Sequence, residues 1–153
     1  MNDNQHFLRE AIELARENAK NGGRPFGAVI VRDGEILARG VNEIVQTNDP
    51  TAHAELVAIR STAQILGSPD LSGCVVYASG QPCPMCMAAM RLAGVGEIYY
   101  AYSNDDGEPY GLSTAAISSD LAKPFAEQTM KIHYVPVRLD SGMDLYAMWK
   151  AKQ

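Results

Sequence analysis

The chain has 153 residues, of which 46% are hydrophobic and 20% are charged. These values are typical of a globular domain with one core, so we expect a single domain over residues 1–153. Thirteen basic against eighteen acidic side chains give a formal net charge of −5 at pH 7. Because such a chain has no general attraction for phosphate backbones, nucleic acid is not expected as a partner.

The sequence carries no sign of a membrane segment or of an export signal. It has no apolar run of about 18 residues, and its first residues lack the charged and then apolar pattern of a signal peptide. The three cysteines are too few for a disulfide framework and suit a reducing compartment. We therefore expect a cytoplasmic protein with no membrane partner.

The first predicted elements are a helix and a hairpin. Apolar residues recur with a helical period over about residues 4–21, and Gly22 and Gly23 end that helix. A short apolar run over residues 26–32 and a return strand over residues 35–41 flank Asp33 and Gly34, which form a two-residue turn. An antiparallel pair therefore begins the sheet.

The middle of the chain alternates between helices and strands. After a loop, we expect a helix over about residues 53–66, a buried strand over residues 74–79, a helix over residues 84–93 and a strand over residues 97–102. This alternation predicts parallel pairing of the two strands, with helices on both faces of the sheet.

The pattern weakens after residue 103. A short helix within residues 111–121, a last strand over residues 131–137 and a terminal helix over residues 143–150 are expected. The fold class predicted from these elements is α/β, with a three-layer α/β/α architecture around a mixed five-stranded sheet.

Three side chains with metal-binding chemistry stand near two predicted helix starts. They are His53, Cys83 and Cys86. The two cysteines are three residues apart, which brings their side chains together at a helix N-terminus, where the dipole favours thiolates. One imidazole and two thiolates suit a tetrahedral zinc ion whose fourth position stays open for water.

No good fourth protein ligand is visible. His6 and His133 stand alone near the two ends of the chain, and Cys74 lies in an apolar, strand-like run. We therefore expect water as the fourth ligand, and zinc lowers the pKa of such a water from about 15.7 to roughly 7. This chemistry points to hydrolytic deamination of an amidine carbon.

A carboxylate that need not bind metal, Glu55, stands two residues after His53. The two side chains would point about 200° apart on a regular helix, but both can border one cavity at the first turn. We expect Glu55 to take a proton from water, pass it to a ring nitrogen and later protonate the departing amine.

Residues 51–55 (TAHAE) followed by residues 82–86 (PCPMC) resemble the zinc-dependent cytidine and nucleoside deaminase superfamily. Residues 25–31 (PFGAVIV), the Asp33 and Gly34 turn, Asn42 and residues 48–50 (NDP) are similar to its guanine deaminase branch. The resemblance implies a cytidine deaminase-like fold and a homodimer that acts on a small heterocyclic amine.

The resemblance also implies roles for individual residues. His53, Cys83 and Cys86 match the ligands of one zinc ion per subunit, and Glu55 matches the proton shuttle. Three further residues match substrate contacts. Phe26 is expected to pack on the substrate ring, Asn42 to hold a ring carbonyl or nitrogen, and Ala54 to contact the substrate. From the residues alone, Phe26 could equally be a core residue and Asn42 a loop cap.

Three positions differ from the pattern of that branch. Gln81 stands where the family usually has glutamate, Leu92 replaces a common aromatic, and residues 112–114 (LST) replace a Phe-Asp-Asp stretch that helps recognise guanine. The substrate therefore stays open among guanine, guanosine, cytosine, a pterin and a triazine-like amine.

Other functions compete with the deamination of a free heterocycle. A tRNA adenosine deaminase shares the same motifs but needs a basic surface at the pocket mouth. A non-catalytic zinc module is a further alternative, although it would not need Glu55. A redox-active Cys-x-x-Cys is disfavoured by the His-x-Glu that accompanies it.

Overall fold

The computed structural model describes residues 2–153, which form two compact units that divide after Ala122. Four strands are present: β1 Gly27–Arg32, β2 Glu35–Val41, β3 Val75–Gly80 and β4 Glu97–Tyr102. Seven α-helices are present among the described residues: α1 Asp3–Lys20, α2 Ile44–Thr47, α3 Ala54–Leu66, α4 Pro84–Ala93, α5 Asn104–Gly107, α6 Ala115–Leu121 and α7 Leu145–Ala151. Short 3-10 helices occupy Glu108–Tyr110 and Phe125–Glu127.

The sheet is mixed and has the strand order β2-β1-β3-β4. Strand β1 pairs antiparallel with both β2 and β3, and β3 pairs parallel with β4. Ala28 of β1 lies opposite Gly40 on one side and opposite Ala78 on the other. The predicted hairpin and the predicted parallel pair are both confirmed.

The turn between β1 and β2 is explained by its two residues. Asp33 has a φ of 52° and Gly34 a φ of 80°, so both lie in the left-handed region. A two-residue turn of this kind matches the right-handed twist of the flanking strands, and Asp followed by Gly adopts it readily.

Helices cover both faces of the sheet, because alternate residues of β1 enter two different apolar clusters. Ala28 and Ile30 pack in the cluster that contains residues of α3 and α4. Val29 and Val31 pack with Phe7 of α1 on the other face. The predicted three-layer α/β/α arrangement is therefore present within residues 2–122.

The prediction of a fifth strand over residues 131–137 is wrong for the described chain. The sheet has four strands, and the only backbone hydrogen bond described within this segment joins Val137 N to Val135 O at 2.9 Å. A strand needs a neighbour that accepts and donates its backbone hydrogen bonds, and the apolar alternation of residues 131–137 does not by itself supply one. Tyr134 is 85% exposed.

The second unit, residues 123–153, contains the 3-10 helix Phe125–Glu127 and helix α7. Many of its large apolar side chains are exposed, among them Leu139, Tyr146 and Trp149. Across residues 2–153, no helix combines the length and the apolar character that are needed to cross a membrane.

Candidate metal centre and substrate site

Two of the sequence-predicted residues lie at the start of helix α3. His53 is the N-cap of the helix, with an extended backbone at φ −71° and ψ 154°, and its side chain makes no capping bond. Glu55 lies in the first turn and is 6% exposed. The imidazole is thus left for other partners, while the carboxylate is buried.

The two cysteines lie in the same way at the start of helix α4. Cys83 is the N-cap, and Pro84 occupies the first turn, where a missing backbone N–H costs nothing. Cys86 follows in the first turn and is fully buried. Both pairs of site residues therefore sit at helix N-termini, where the helix dipole favours negative charge.

The three candidate ligand atoms converge. Cys83 Sγ lies 3.4 Å from His53 Nδ1, Cys86 Sγ lies 3.5 Å from the same nitrogen, and the two sulfur atoms are 3.6 Å apart. A tetrahedral zinc ion with ordinary bond lengths would hold sulfur and nitrogen about 3.6 Å apart and two sulfurs about 3.8 Å apart. The donor set and its spacing therefore fit zinc.

Within the described residues, no fourth histidine, cysteine or carboxylate joins this cluster. Cys74 is buried in the same apolar cluster as Ala28 and Ile30 of β1. None of the three cysteines forms a disulfide. Three protein ligands are the number found in catalytic zinc sites, whereas structural sites usually have four.

The protonation of the cluster also favours metal binding. The hydrogen bond between the two sulfurs lowers the pKa of Cys83 to about 4 and raises the pKa of Cys86. The hydrogen bond to Cys83 raises the pKa of His53, and partial burial of the imidazole opposes that rise. A thiolate is thus available beside the imidazole, and a bound cation would deprotonate the second thiol.

Burial has the largest effect on the protonation of the Glu55 carboxyl. It raises the pKa of this carboxyl above its ordinary value, and hydrogen bonds with the backbone of Glu55 itself and with the Cys86 thiol counteract only part of that rise. A carboxyl whose pKa is moved toward neutrality exchanges protons more readily at physiological pH than an exposed one.

The three expected substrate contacts lie in the same unit. Phe26 directly precedes β1, and its ring covers Gly80, since a Cβ on Gly80 would lie 3.1 Å from the ring. Asn42 is 2% exposed, donates its backbone N–H to Phe26 O at 3.1 Å and accepts from Ile44 N at its Oδ1, also at 3.1 Å. Ala54 is fully buried.

Gln81 and Leu92, which differ from the family pattern, make no described side-chain hydrogen bond to His53, Cys83 or Cys86. The side-chain oxygen of Gln81 accepts a hydrogen bond from Asn104 N at 2.9 Å, at the beginning of helix α5. Leu92 is 88% exposed on helix α4. Gln81 therefore anchors a loop.

A cleft of about 620 Å³ borders Phe26 and includes Gln81, Asn104 and Leu112 in its lining. Neither the three candidate metal ligands nor Glu55 lines this cleft. The cleft is therefore distinct from the metal cluster, and Phe26 is the residue of the predicted site that it shares.

Sequence reasoning missed Asn18. This residue lies near the end of α1, on the stripe that also buries Phe7, Ala11 and Ala15, and it is 6% exposed. A polar residue within an apolar helical stripe is the signal that could have identified it, because a buried amide needs hydrogen-bond partners.

The chain matches the family model described as the cytidine and deoxycytidylate deaminase zinc-binding region over residues 1–102. It is 39% identical to guanine deaminase of Bacillus subtilis over 149 residues, which cover 97% of this chain and 94% of the relative. The crystal structure of a guanine deaminase from Bacillus subtilis superposes with a TM-score of 0.86 and covers 99% of this chain and 95% of that one.

A second type of relative is also similar. The chain is 37% identical to a tRNA-specific adenosine deaminase of Agrobacterium fabrum over 107 residues, which cover 70% of each protein.

A further guanine deaminase structure, from Nitrosomonas europaea, is also similar. It is 30% identical, has a TM-score of 0.67 and covers 71% of this chain and 63% of that one.

Proposed function

Since the chain belongs to the cytidine and deoxycytidylate deaminase zinc-binding family, we propose that it hydrolyses the exocyclic amine of a guanine-like heterocycle and releases ammonia. The observation that carries this proposal is the ligand cluster of His53, Cys83 and Cys86 beside the buried Glu55. An open three-ligand site next to a carboxylate suits hydrolysis better than a structural role.

His53, Cys83 and Cys86 would hold one zinc ion per subunit. Zinc, when bound at such a site, makes water a strong nucleophile at neutral pH. The side chains of the chain itself must then bind the heterocycle and move protons.

Glu55 is the proposed proton carrier. It would accept a proton from the attacking water and pass it to a ring nitrogen of the substrate. It would then take the remaining proton of that water from the hydroxyl group of the tetrahedral adduct and give it to the amine, which leaves as ammonia when the carbon–nitrogen bond breaks. Its burial supports this role, because the raised pKa of the Glu55 carboxyl allows it to act as base and then as acid. The products are the oxo-heterocycle and ammonia.

Phe26, Asn42 and Ala54 are the proposed substrate contacts. The Phe26 ring offers an apolar surface for a flat heterocycle. Asn42 Oδ1 is already bonded to Ile44 N, so the amide nitrogen is the group left to donate to a ring nitrogen or a carbonyl of the substrate. Ala54, between His53 and Glu55, would complete the pocket wall.

Guanine is the first substrate to test, because the guanine deaminase of Bacillus subtilis is similar over nearly the whole chain. Adenosine in tRNA is the second, because the chain is 37% identical to a tRNA-specific adenosine deaminase over 70% of its length. The net charge of −5 favours the free heterocycle. Salt-dependent binding of tRNA would support the second candidate, and no binding at low salt would exclude it.

We also propose a homodimer that contacts along the edge of β4. This strand has β3 as its single neighbour in the described sheet, and Tyr100 and Tyr102 are 47% and 55% exposed. Exposed strand edges with apolar side chains favour association with another chain. Light scattering should give the mass of a dimer, and Tyr100→Lys should weaken that dimer. Leu92→Lys is the control: Leu92 is 88% exposed on α4, and its substitution should leave the dimer unchanged.

The whole chain is proposed to act as one deaminase domain, since the Bacillus subtilis relative matches 97% of it. We propose the cytoplasm as its compartment, because the two cysteines of the metal cluster must stay reduced.

The decisive experiment measures ammonia release by the zinc-loaded protein from guanine, guanosine, cytosine, a pterin and a triazine amine. Glu55→Gln serves as the matched control, because it keeps the side-chain shape and removes the carboxylate. We expect release from one class of heterocycle and a loss of about 10²- to 10⁴-fold in Glu55→Gln. Zinc-loaded, folded protein that is silent across the panel would contradict the proposal.

A further inference from the structure

We propose that Asn18 is a positioning residue, which holds Phe26 and Asn42 at the separation that the substrate requires. This inference deepens the proposed function and rests on it for the identity of the substrate. It concerns a residue in helix α1, outside the motifs that carry the family resemblance.

The Asn18 amide bonds to three separate segments. Its Nδ2 donates to Arg24 O at 2.7 Å and to Asn42 O at 2.8 Å, and its Oδ1 accepts from Gln46 Nε2 at 3.1 Å. These partners belong to the loop after α1, to the loop that begins directly after β2 and to helix α2. One side chain thus joins the two loops that carry Phe26 and Asn42, two of the three proposed substrate contacts.

The hydrogen bonds form a closed circuit through Phe26 and Asn42. Arg24 O, which accepts from Asn18, also accepts from Phe26 N at 2.9 Å. Phe26 O accepts from Asn42 N at 3.1 Å, and Asn42 O accepts from Asn18 Nδ2. The backbone of each substrate contact is therefore tied to the other through the same amide.

The close packing of Gly23 on the Asn18 amide also supports a positioning role for Asn18. A Cβ on Gly23 would lie 2.6 Å from Asn18 Nδ2 and 2.8 Å from Asn18 Oδ1, so the loop closes directly on the amide. Gly23 N also donates to the backbone oxygen of Asn18 at 2.9 Å. The buried amide is thus packed against the loop at Gly23, and both of its polar atoms are satisfied.

Asn18 bonds directly to the backbone of Asn42 and reaches Phe26 only through Arg24 O, which Phe26 N also bonds. It bonds to neither side chain of the two substrate contacts, so its effect is on geometry. Small displacements of groups that orient a substrate reduce turnover strongly. The metal ligands lie at the starts of α3 and α4, which Asn18 does not contact by any described hydrogen bond. Removal of the two donors should therefore disturb substrate binding and leave zinc in place.

The test uses Asn18→Asp, which keeps the shape and replaces both N–H donors by a carboxylate oxygen that faces two carbonyls. Thr62→Val is the matched control, because Thr62 is also fully buried and donates to one backbone oxygen, Ala58 O, at 2.8 Å. Both variants lose buried hydrogen bonds, but the lost bonds adjoin the proposed pocket in the first variant alone. A third variant, Gln46→Ala, removes the outer bond to Oδ1 and is milder.

Three quantities are measured: zinc content, the Kd for guanine in a Glu55→Gln background, and hydrogen exchange in residues 22–26 and 42–47. We expect unchanged zinc, a Kd at least about tenfold weaker and exchange about tenfold faster in Asn18→Asp. Thr62→Val should leave the Kd and the exchange of both segments at their reference values. Gln46→Ala should change both quantities in the same direction by less.

The inference is overturned if Asn18→Asp, or Gln46→Ala where the first variant does not fold, leaves hydrogen exchange in both segments as slow as before. It is also overturned if the Kd changes no more than in Thr62→Val. If guanine fails to bind the unaltered protein, the guanine assignment fails, and the exchange measurement still decides the role of Asn18.

Discussion

Gly40 of β2 lies directly beneath the carbonyl oxygen of Ala54, the first residue of helix α3. A Cβ on Gly40 would overlap that oxygen and lie 2.8 Å from Ala58 N. The first turn of α3 therefore packs so closely on β2 that position 40 has room for the hydrogen atom of glycine but not for a Cβ. Because His53 and Glu55 belong to the same start, this contact determines how deep both side chains lie.

We predict that Gly40→Ala weakens both stability and zinc binding. The added methyl group must push backbone atoms of α3, and overpacking of this kind costs about 1–3 kcal/mol. The displaced helix carries His53 away from the two sulfurs. Chemical denaturation and zinc competition with a chelator measure the two effects. Gly96→Ala is the control, since a Cβ there meets nothing within 4 Å; equal zinc affinity in both variants would contradict the prediction.

Removal of zinc should destabilise the fold. A ligand that binds only the native state stabilises it by about 2.7 kcal/mol at a free concentration of 100 times its Kd. Thermal unfolding with saturating zinc, and again after chelation, should therefore show a clear fall in Tm. In Cys83→Ala, which lacks one of the three ligand atoms, zinc should bind weakly and the chelator should hardly change the Tm. Stoichiometric zinc in Cys83→Ala would refute the ligand assignment.

Gly80→Ala should disturb the Phe26 ring and spare the metal cluster. A Cβ on Gly80 would lie 3.1 Å from Cε1 and 3.2 Å from Cδ1 of Phe26, so the ring must shift by a few tenths of an ångström. We expect KM for the active heterocycle to rise several-fold, by about 1 kcal/mol of lost binding, with zinc content unchanged. Steady-state kinetics and metal analysis test this, and an unchanged KM would show that the ring does not contact the substrate.

The loop that leads to His53 has a carboxyl whose pKa can be tested directly. Hydrogen bonds from the side chain and the backbone of Thr51 hold the pKa of Asp49 below its usual 3.8. Because the folded-state pKa is lowered, the stabilisation is present above the unfolded value and is lost as the pH falls through the folded value.

Thr51→Val should therefore raise the pKa of Asp49, because it removes the hydroxyl donor, at 2.7 Å from Asp49 Oδ1. A carboxyl-carbon NMR titration measures the shift. Asp70, whose pKa is lowered in the same way by Ser72, is the internal control and should not move. An unmoved Asp49 resonance would show that the hydroxyl bond is absent in solution.

Much of the fold was predictable because it depends on neighbours in sequence. Asp33 and Gly34 specify their turn through their own backbone preferences, and the hairpin follows. Gly67 and Gly94 end α3 and α4 in the left-handed conformation that glycine adopts easily. The candidate metal ligands were recognisable as short motifs, but their meeting across about 30 residues was expected only because the two motifs together resemble the deaminase family.

The errors concern features that depend on distant partners. Residues 131–137 have the alternation of a strand, yet no described neighbour pairs with them, so the expected five-stranded sheet has four strands. The partner of Gln81 also lies far away in sequence: this residue is two positions before the candidate ligand Cys83, and its side chain accepts a hydrogen bond from Asn104 N. Sequence adjacency does not tell which way a side chain turns.

The sequence by itself determined the hairpin, the starts of the two site helices and the residue types that can hold zinc and move a proton, because local backbone preference and chemical identity are properties of short segments. Only the tertiary structure decided that Glu55 is buried, that Gly40 sets the depth of α3, and that Asn18 joins Phe26 to Asn42. The physical reason is that burial and hydrogen-bond partners come from segments far apart in the chain, and their contacts exist only once the layers have packed.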